Sequence, residues 1–427
     1  MSITKHKTDF IKTIQAFVLR DFSPNFDRLS SQFRPDPKWN RLREIGTALW
    51  LDTGNIEATL ENWTREFSAL TVNNTLLNRE IQSGVYDDLI PEAFKLLKQE
   101  GCEGEQEFKL ELAFILNAIH GLKLIEKFDA FVSLEEHTDL AYDLEGSLGY
   151  ARRYYAICPE RVYVKIPFTP AGVLASRRLS KENVPINLTL GFSARQNYVT
   201  ARLANPAYLN VFLGRLNSFT EKNGLGTGEY VGEKATLASQ AAVARLRQHG
   251  KTVSQQIAAS VRSGQQIVDL AGVDVITMPP KAAKQFAEME IGIDEIQDRR
   301  AHEYAPGIKA DADQEKLGFD TLWRVDEKIV ACMDDLDNEN VDSFTPEDLV
   351  GFFSEHGCGD VFVEWDESQK QTSYEEGKIP KLGNWQEALT SGSIGLDSLM
   401  NLAGLSSFKA DQDEMDEHVF KIIDEHK

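Results

Sequence analysis

A chain of 427 residues is long enough for one large domain with additions, or for two domains, so core size does not limit its fold. Hydrophobic residues at 42% and charged residues at 26% exclude a disordered or fibrous chain, and no apolar run approaches the ~18 residues of a membrane span. The formal charge of −21 is placed unevenly, with 23 acids against 6 bases in residues 331–427, and an acidic tail on a nearly neutral body argues against a nucleic-acid partner.

Residues 1–45 predict an N-terminal helical extension, amphipathic in FIKTIQAFVLRDF and broken at Pro35 and Pro37. Within residues 46–310, short apolar runs alternate with stretches of helical periodicity, the pattern of repeated βα units and a parallel sheet. The runs end at Asp52, Asn73 and Glu135, lie around Lys165, Thr189 and Phe212, and end again at Ser260 and Pro279. Eight such units predict an α/β fold, a closed (β/α)8 TIM barrel whose active site forms at the C-terminal ends of its strands.

Residues 311–427 predict an acidic, mainly helical C-terminal extension. It holds a helical run in TLWRVDEKIVACMDDL, a helix after Thr345-Pro346-Glu347, a polar Gly/Ser-containing stretch, and a final amphipathic helix, SSFKADQDEMDEHVFKII, that packs back on the barrel. DDLDNENVDS has the acid density of a calcium loop but lacks the glycine and the spaced terminal glutamate of an EF-hand. The glycines of NGLGTGEY do not stand between a strand and a helix, so they predict a mobile loop and not a dinucleotide site. The histidines form no HxxxH or HxH pair, which disfavours a metal site. The four cysteines have no CxxC spacing, and the start MSITKHKTDF has no apolar signal core. Together these predict a cytoplasmic protein in a reducing setting, without a membrane partner.

Lys165 in RVYVKIPF is the strongest chemical feature. A permanent ammonium is costly to bury without a partner, and a desolvated lysine amine attacks carbonyls to form a Schiff base. The plainer reading is a strand-end lysine reaching solvent. Side chains alternate across a strand, so Tyr163 and Lys165 share a face, as do Ser133 and Glu135, Asn187 and Thr189, and Asn210 and Phe212. Pointed into a barrel, these faces collect an amine, the carboxylates Asp52 and Glu135, the amides Asn73, Asn187 and Asn210, and the Thr189 hydroxyl, a set suited to proton transfer.

LWLDTGN, LTVNNTLL, VSLEEHTDLAYD, VKIPFTPAGV, PINLTLGFS, NVFLGR and AASVRSGQQIVDLAGVDVITMPP, in this order and spacing, resemble the strand ends of the transaldolase family, Schiff-base enzymes on a (β/α)8 barrel. The resemblance runs from about Leu49 to Pro280. It implies that Lys165 forms an imine with a ketose carbonyl and that Asp52 takes the proton from the donor's C4 hydroxyl. Glu135 and Thr189 would hold the water that shuttles protons, and Asn73 and Asn187 would bond the hydroxyls of a dihydroxyacetone unit. Arg215, Ser260 and Arg262 match the phosphate-binding positions, and guanidinium forks suit phosphate. The activity implied is transfer of that unit between phosphorylated sugars in the pentose phosphate pathway, without a cofactor, and a homodimer is one arrangement it admits.

Two positions qualify the resemblance. Asn210 stands where the family usually has serine, which opens the donor preference. Phe212 matches the family's transferases, where the similar fructose-6-phosphate aldolases place tyrosine. Singly, Asp52 and Asn73 read as turn or cap residues and Arg215 and Arg262 as surface ion-pair residues, but independent causes would not gather them where one mechanism needs them. The alternatives are an aldolase that releases dihydroxyacetone and a catalytically altered sugar-phosphate-binding or regulatory protein.

Overall fold

Eight strands, β1 (Ala48–Asp52), β2 (Phe67–Thr71), β3 (Phe131–Glu135), β4 (Val162–Pro167), β5 (Ile186–Thr189), β6 (Tyr208–Phe212), β7 (Gln255–Ala259) and β8 (Val275–Met278), pair in parallel in chain order, and β8 closes on β1. The computed structural model, which describes residues 8–24, 26 and 32–426, is therefore a (β/α)8 barrel, with every strand on one of the apolar runs. The sequence also writes the helix starts. Asn55, Asn73, Asp143, Thr169, Ser193 and Ser263 each accept a backbone N–H of the helix they precede.

Aromatic rings fill the N-terminal half of the barrel interior. Tyr163 stacks on Trp50 at 5.6 Å and on Phe131 at 4.9 Å, and Tyr208 lies 4.7 Å from Trp50 and 5.0 Å from Tyr163. Because inward positions recur every second residue, the next inward positions toward the mouth are Asp52, Lys165 and Asn210.

Among its described residues the N-terminal extension holds helices Thr8–Leu19 and Pro37–Ile45, while residues 1–7, 25 and 27–31 lie outside the described residues. The first buries Phe10, Ile14 and Val18, spaced four apart on one face. Pro37 does not break a helix. It opens the second one, where its missing N–H costs nothing, with Asp36 as the cap.

The extension after the barrel holds helices Asp320–Trp323, Glu327–Leu336, Pro346–Glu355, Glu367–Glu376, Leu382–Thr390 and Leu396–Glu425. TLWRVDEKIVACMDDL is two helices and not one, because Asp326 leaves helical geometry and caps Ile329 N. Thr345 and Asp348 form a reciprocal capping box at the start of Pro346–Glu355. Glu367–Glu376 buries only Ser373, so it shows no apolar periodicity. The last helix begins at Leu396, ahead of the amphipathic stretch, and its apolar and small residues up to Phe408 are almost all buried.

The extension's acids serve as docking charges. Arg202 pairs with Asp334 at 2.9 Å and with Asp337, Arg177 pairs with Asp342 at 2.8 Å, and Lys181 also pairs with Asp342. DDLDNENVDS thus faces bases on the barrel's outer helices, and among the described residues no group of three or more His, Cys, Asp or Glu could hold a metal ion. The NGLGTGEY loop is tied down, contrary to a mobile reading. Gly226 bridges Ile308, Gly228 N donates to Gly307 O at 3.0 Å, and Lys309 N donates to Leu225 O at 2.7 Å. Among the described residues no helix is long and apolar enough to cross a membrane, and all four cysteines are buried free thiols.

Candidate active site

The parallel register sets Glu135 opposite Lys165, and Lys165 opposite Asn187, so three polar side chains meet on one level across β3, β4 and β5. Above them opens a cavity of about 360 Å³ at the C-terminal face, lined by Lys165, Asp52, Asn73, Asn210 and Phe212, with Arg215, Ser260 and Arg262 at another wall. Eight of the eleven residues singled out from sequence therefore line one cavity. Glu135, Asn187 and Thr189 do not line it and lie buried beneath it.

Lys165 does not reach solvent: it is 3% exposed. Its Nζ donates to Glu135 Oε2 at 3.2 Å, and the Phe408 ring lies 5.6 Å away. The partner that a buried ammonium requires is therefore present. Burial raises the Glu135 pKa above the usual carboxylate range, Lys165 and Arg215 oppose the shift, and Asp52 adds to it. Thr189 Oγ1, buried at the end of β5, has no hydrogen-bond partner among the described residues. A polar atom in that state fits a bound water.

Asp52 is not a helix cap, because Asn55 caps the following helix. It ends β1 at the cavity wall, where Thr71 Oγ1 donates to Oδ1 at 2.7 Å and itself lies 2.8 Å from Thr277 Oγ1. Asn73 is a helix cap: Oδ1 accepts from Leu76 N at 2.9 Å, which leaves its NH2 as the group free to meet a ligand. Asn187 is committed on both atoms, with Nδ2 donating to Ser133 Oγ at 2.9 Å and Oδ1 accepting from Asn210 Nδ2 at 2.6 Å. Asn210 Nδ2 also donates to Leu188 O at 2.7 Å, so the amide pair braces β5 against β6.

Arg215 is buried, and its Nη1 has no hydrogen-bond partner among the described residues. Burial first, then the neighbouring Arg262, pull its pKa down to about 10. Arg262 is likewise lowered by burial. Asp411, Glu135 and Asp52 act on Arg215 from a distance and Asp52 on Arg262, but among the described residues neither guanidinium is ion-paired with a carboxylate, an arrangement suited to an anion. Gly214 permits their approach, since a Cβ there would stand 2.2 Å from Ser260 O and 2.7 Å from Arg262 Nε. Ser260 itself turns at φ +63°, in the left-handed region, directly after β7.

Sequence reasoning missed Thr71 and Thr277, small residues whose inward parity was the available signal, and Phe408 and Lys378, which the C-terminal extension lays over the mouth. The sequence pattern of the transaldolase/fructose-6-phosphate aldolase family matches residues 49–348. The chain belongs to this family. A transaldolase of Prochlorococcus marinus (strain MIT 9211) is 28% identical over 309 residues, covering 68% of this chain and 89% of that protein. One of Xanthomonas euvesicatoria pv. vesicatoria (strain 85-10) is 29% identical over 249 residues, 57% of this chain and 76% of that protein. A probable transaldolase of Dictyostelium discoideum is 28% identical over 231 residues, 52% and 71%. Lys378 and Phe408 of this transaldolase-family chain fall outside the matched residues.

Proposed function

We propose that the protein transfers a dihydroxyacetone unit from a ketose phosphate, sedoheptulose 7-phosphate or fructose 6-phosphate, to an aldose phosphate through an imine on Lys165. The observation that carries this reading is the buried Lys165 amine on the cavity floor, 3.2 Å from Glu135 and beneath Phe408. The amine attacks the ketose carbonyl, and the carbinolamine loses water through a proton relay of Glu135, Thr189 and a water between them. Asp52 accepts the C4 hydroxyl proton as the C3–C4 bond breaks, releasing an aldose and leaving an enamine on Lys165. The enamine attacks the carbonyl of the incoming aldose phosphate, Asp52 returns the proton, and hydrolysis of the new imine frees the product ketose.

Asn73 and Asn210 hold hydroxyls of the three-carbon unit, Asn187 orients Asn210 from below, and Arg215, Ser260 and Arg262 take the phosphate. No cofactor enters these steps. Transfer is favoured over release of dihydroxyacetone because Phe212, 5.8 Å from Phe192 and 6.4 Å from Phe408, presents rings and no hydroxyl where water would have to protonate the enamine. The reading places the protein in the cytoplasm, acting on phosphorylated sugars.

The test is a coupled assay for fructose 6-phosphate formed from sedoheptulose 7-phosphate and glyceraldehyde 3-phosphate. Product formation is expected. Binding of the sugar phosphates without turnover would favour a regulatory protein on the same scaffold.

A further inference from the structure

Most of the cavity is built by the barrel, but Lys378 comes from the C-terminal extension. It follows Gly377, whose φ of +74° ends helix Glu367–Glu376. On its other side the backbone is clamped by Asn223, which donates to Pro380 O at 3.0 Å and accepts from Leu382 N at 2.8 Å. Asn223 caps the C-terminus of helix Leu213–Lys222, the helix that carries Arg215, so one barrel element fixes both cations.

Residues 331–427 hold 23 acids and 6 bases, which makes an unpaired base conspicuous. Lys370, Lys409 and Lys421 each lie within 4.0 Å of a carboxylate, whereas Lys378 and Lys381 have no ion pair among the described residues, and of these two it is Lys378 that lines the cavity. Its chain neighbour Glu376 is occupied, accepting from Lys381 N, Asn384 Nδ2 and Trp385 Nε1. Partial burial lowers the Lys378 pKa. Asp411, which accepts from Thr75 Oγ1, opposes the shift, and Arg215, Arg79 and Arg262 add to it. Like charges gathered around one cavity repel until an anion enters.

We propose that Lys378 is a specificity residue of the phosphate site, carried over the barrel mouth by the C-terminal extension to complete with Arg215 and Arg262 a cradle for the phosphate of a sugar phosphate. The inference takes from the proposed function only that the ligand is a sugar phosphate. The barrel supplies the deep, buried cation, and the extension supplies one at the rim, so the extension selects phosphorylated over unphosphorylated sugars.

Sorbitol 6-phosphate has the carbon chain and the phosphate but no carbonyl, so it cannot form an imine. Calorimetric titration of the full-length wild type, Lys378→Gln and Lys378→Arg with this probe at low salt reads the phosphate site alone. Lys378→Gln is expected to weaken binding about three- to tenfold, and Lys378→Arg to stay within about twofold of wild type. Unphosphorylated sorbitol is expected to give the same result with all three proteins. Equal affinity in wild type and Lys378→Gln, or no binding of sorbitol 6-phosphate to the wild type, would overturn the proposal. Borohydride trapping of the wild type with fructose 6-phosphate, run in parallel, reads the imine separately. A trapped imine with unchanged Lys378→Gln affinity overturns the lysine proposal alone, and weakened binding with no imine supports it while removing the imine.

Discussion

The two ends of the barrel interior are built from the same strands, yet they differ in kind. At the N-terminal end Trp50, Tyr163 and Tyr208 pack ring on ring. Two residues further along the same strands stand Asp52, Lys165 and Asn210, held by hydrogen bonds and facing a cavity. A step of two residues turns a plug into a site, because the strand repeat keeps both on the inner face while the barrel opens toward the C-terminal ends. The aromatic end holds the cylinder to one shape, and the polar end can then carry groups that would destabilise a less rigid frame.

If the two ends divide stability from chemistry, substitutions at each should separate the two readouts. Lys165→Ala is expected to lower turnover by about 10⁴-fold or more while near-ultraviolet circular dichroism stays native. An activity loss matched by a loss of tertiary signal would break the division. Trp50→Ala is expected to cost about 3–5 kcal/mol in denaturant unfolding, with the remaining folded molecules still forming the imine.

Glu135→Gln tests the polar end through pH. Burial raises the Glu135 pKa, so the folded protein keeps a proton there at pH values where an exposed glutamate has already lost it. In the proposed relay Glu135 acts as the carboxylate. Turnover should therefore fall as pH drops through the raised value, with an acid limb above the ordinary glutamate range. Glu135→Gln is expected to lower turnover by about 10²–10³-fold and to remove that limb. By the same shift Glu135 favours the fold at low pH, and this contribution is lost as pH rises from the unfolded pKa through the folded one. The smallest effect belongs to Asn210→Ser, which frees Asn187 Oδ1 and is expected to change the ratio of kcat/KM for two ketose donors about tenfold, read by competition.

The barrel was legible because each strand is a short apolar run whose end carries a polar residue, and Lys165 stood out as a charge inside such a run. What those end residues touch was not legible. That Asn187 spends its amide on Ser133 and Asn210 depends on cross-strand register, which no single strand encodes. That Asn73 both caps a helix and lines the cavity joins two readings that the sequence presented as alternatives. The extension was least legible. Phe408 sits among ordinary helix residues and Lys378 in a polar turn, and only tertiary packing brings them to Lys165 and Arg215. The acids around Asp334 and Asp342 carried density without pattern, since their partners Arg202, Arg177 and Lys181 lie on helices more than a hundred residues earlier.

The proposed chemistry depends on the Lys165 amine meeting a sugar carbonyl inside the cavity. Borohydride reduction in the presence of fructose 6-phosphate, followed by peptide mass mapping, tests this most directly. A stable added mass is expected on the peptide containing Lys165, absent without sugar and absent in Lys165→Ala. No adduct in the wild type, or an adduct on another lysine, would contradict it.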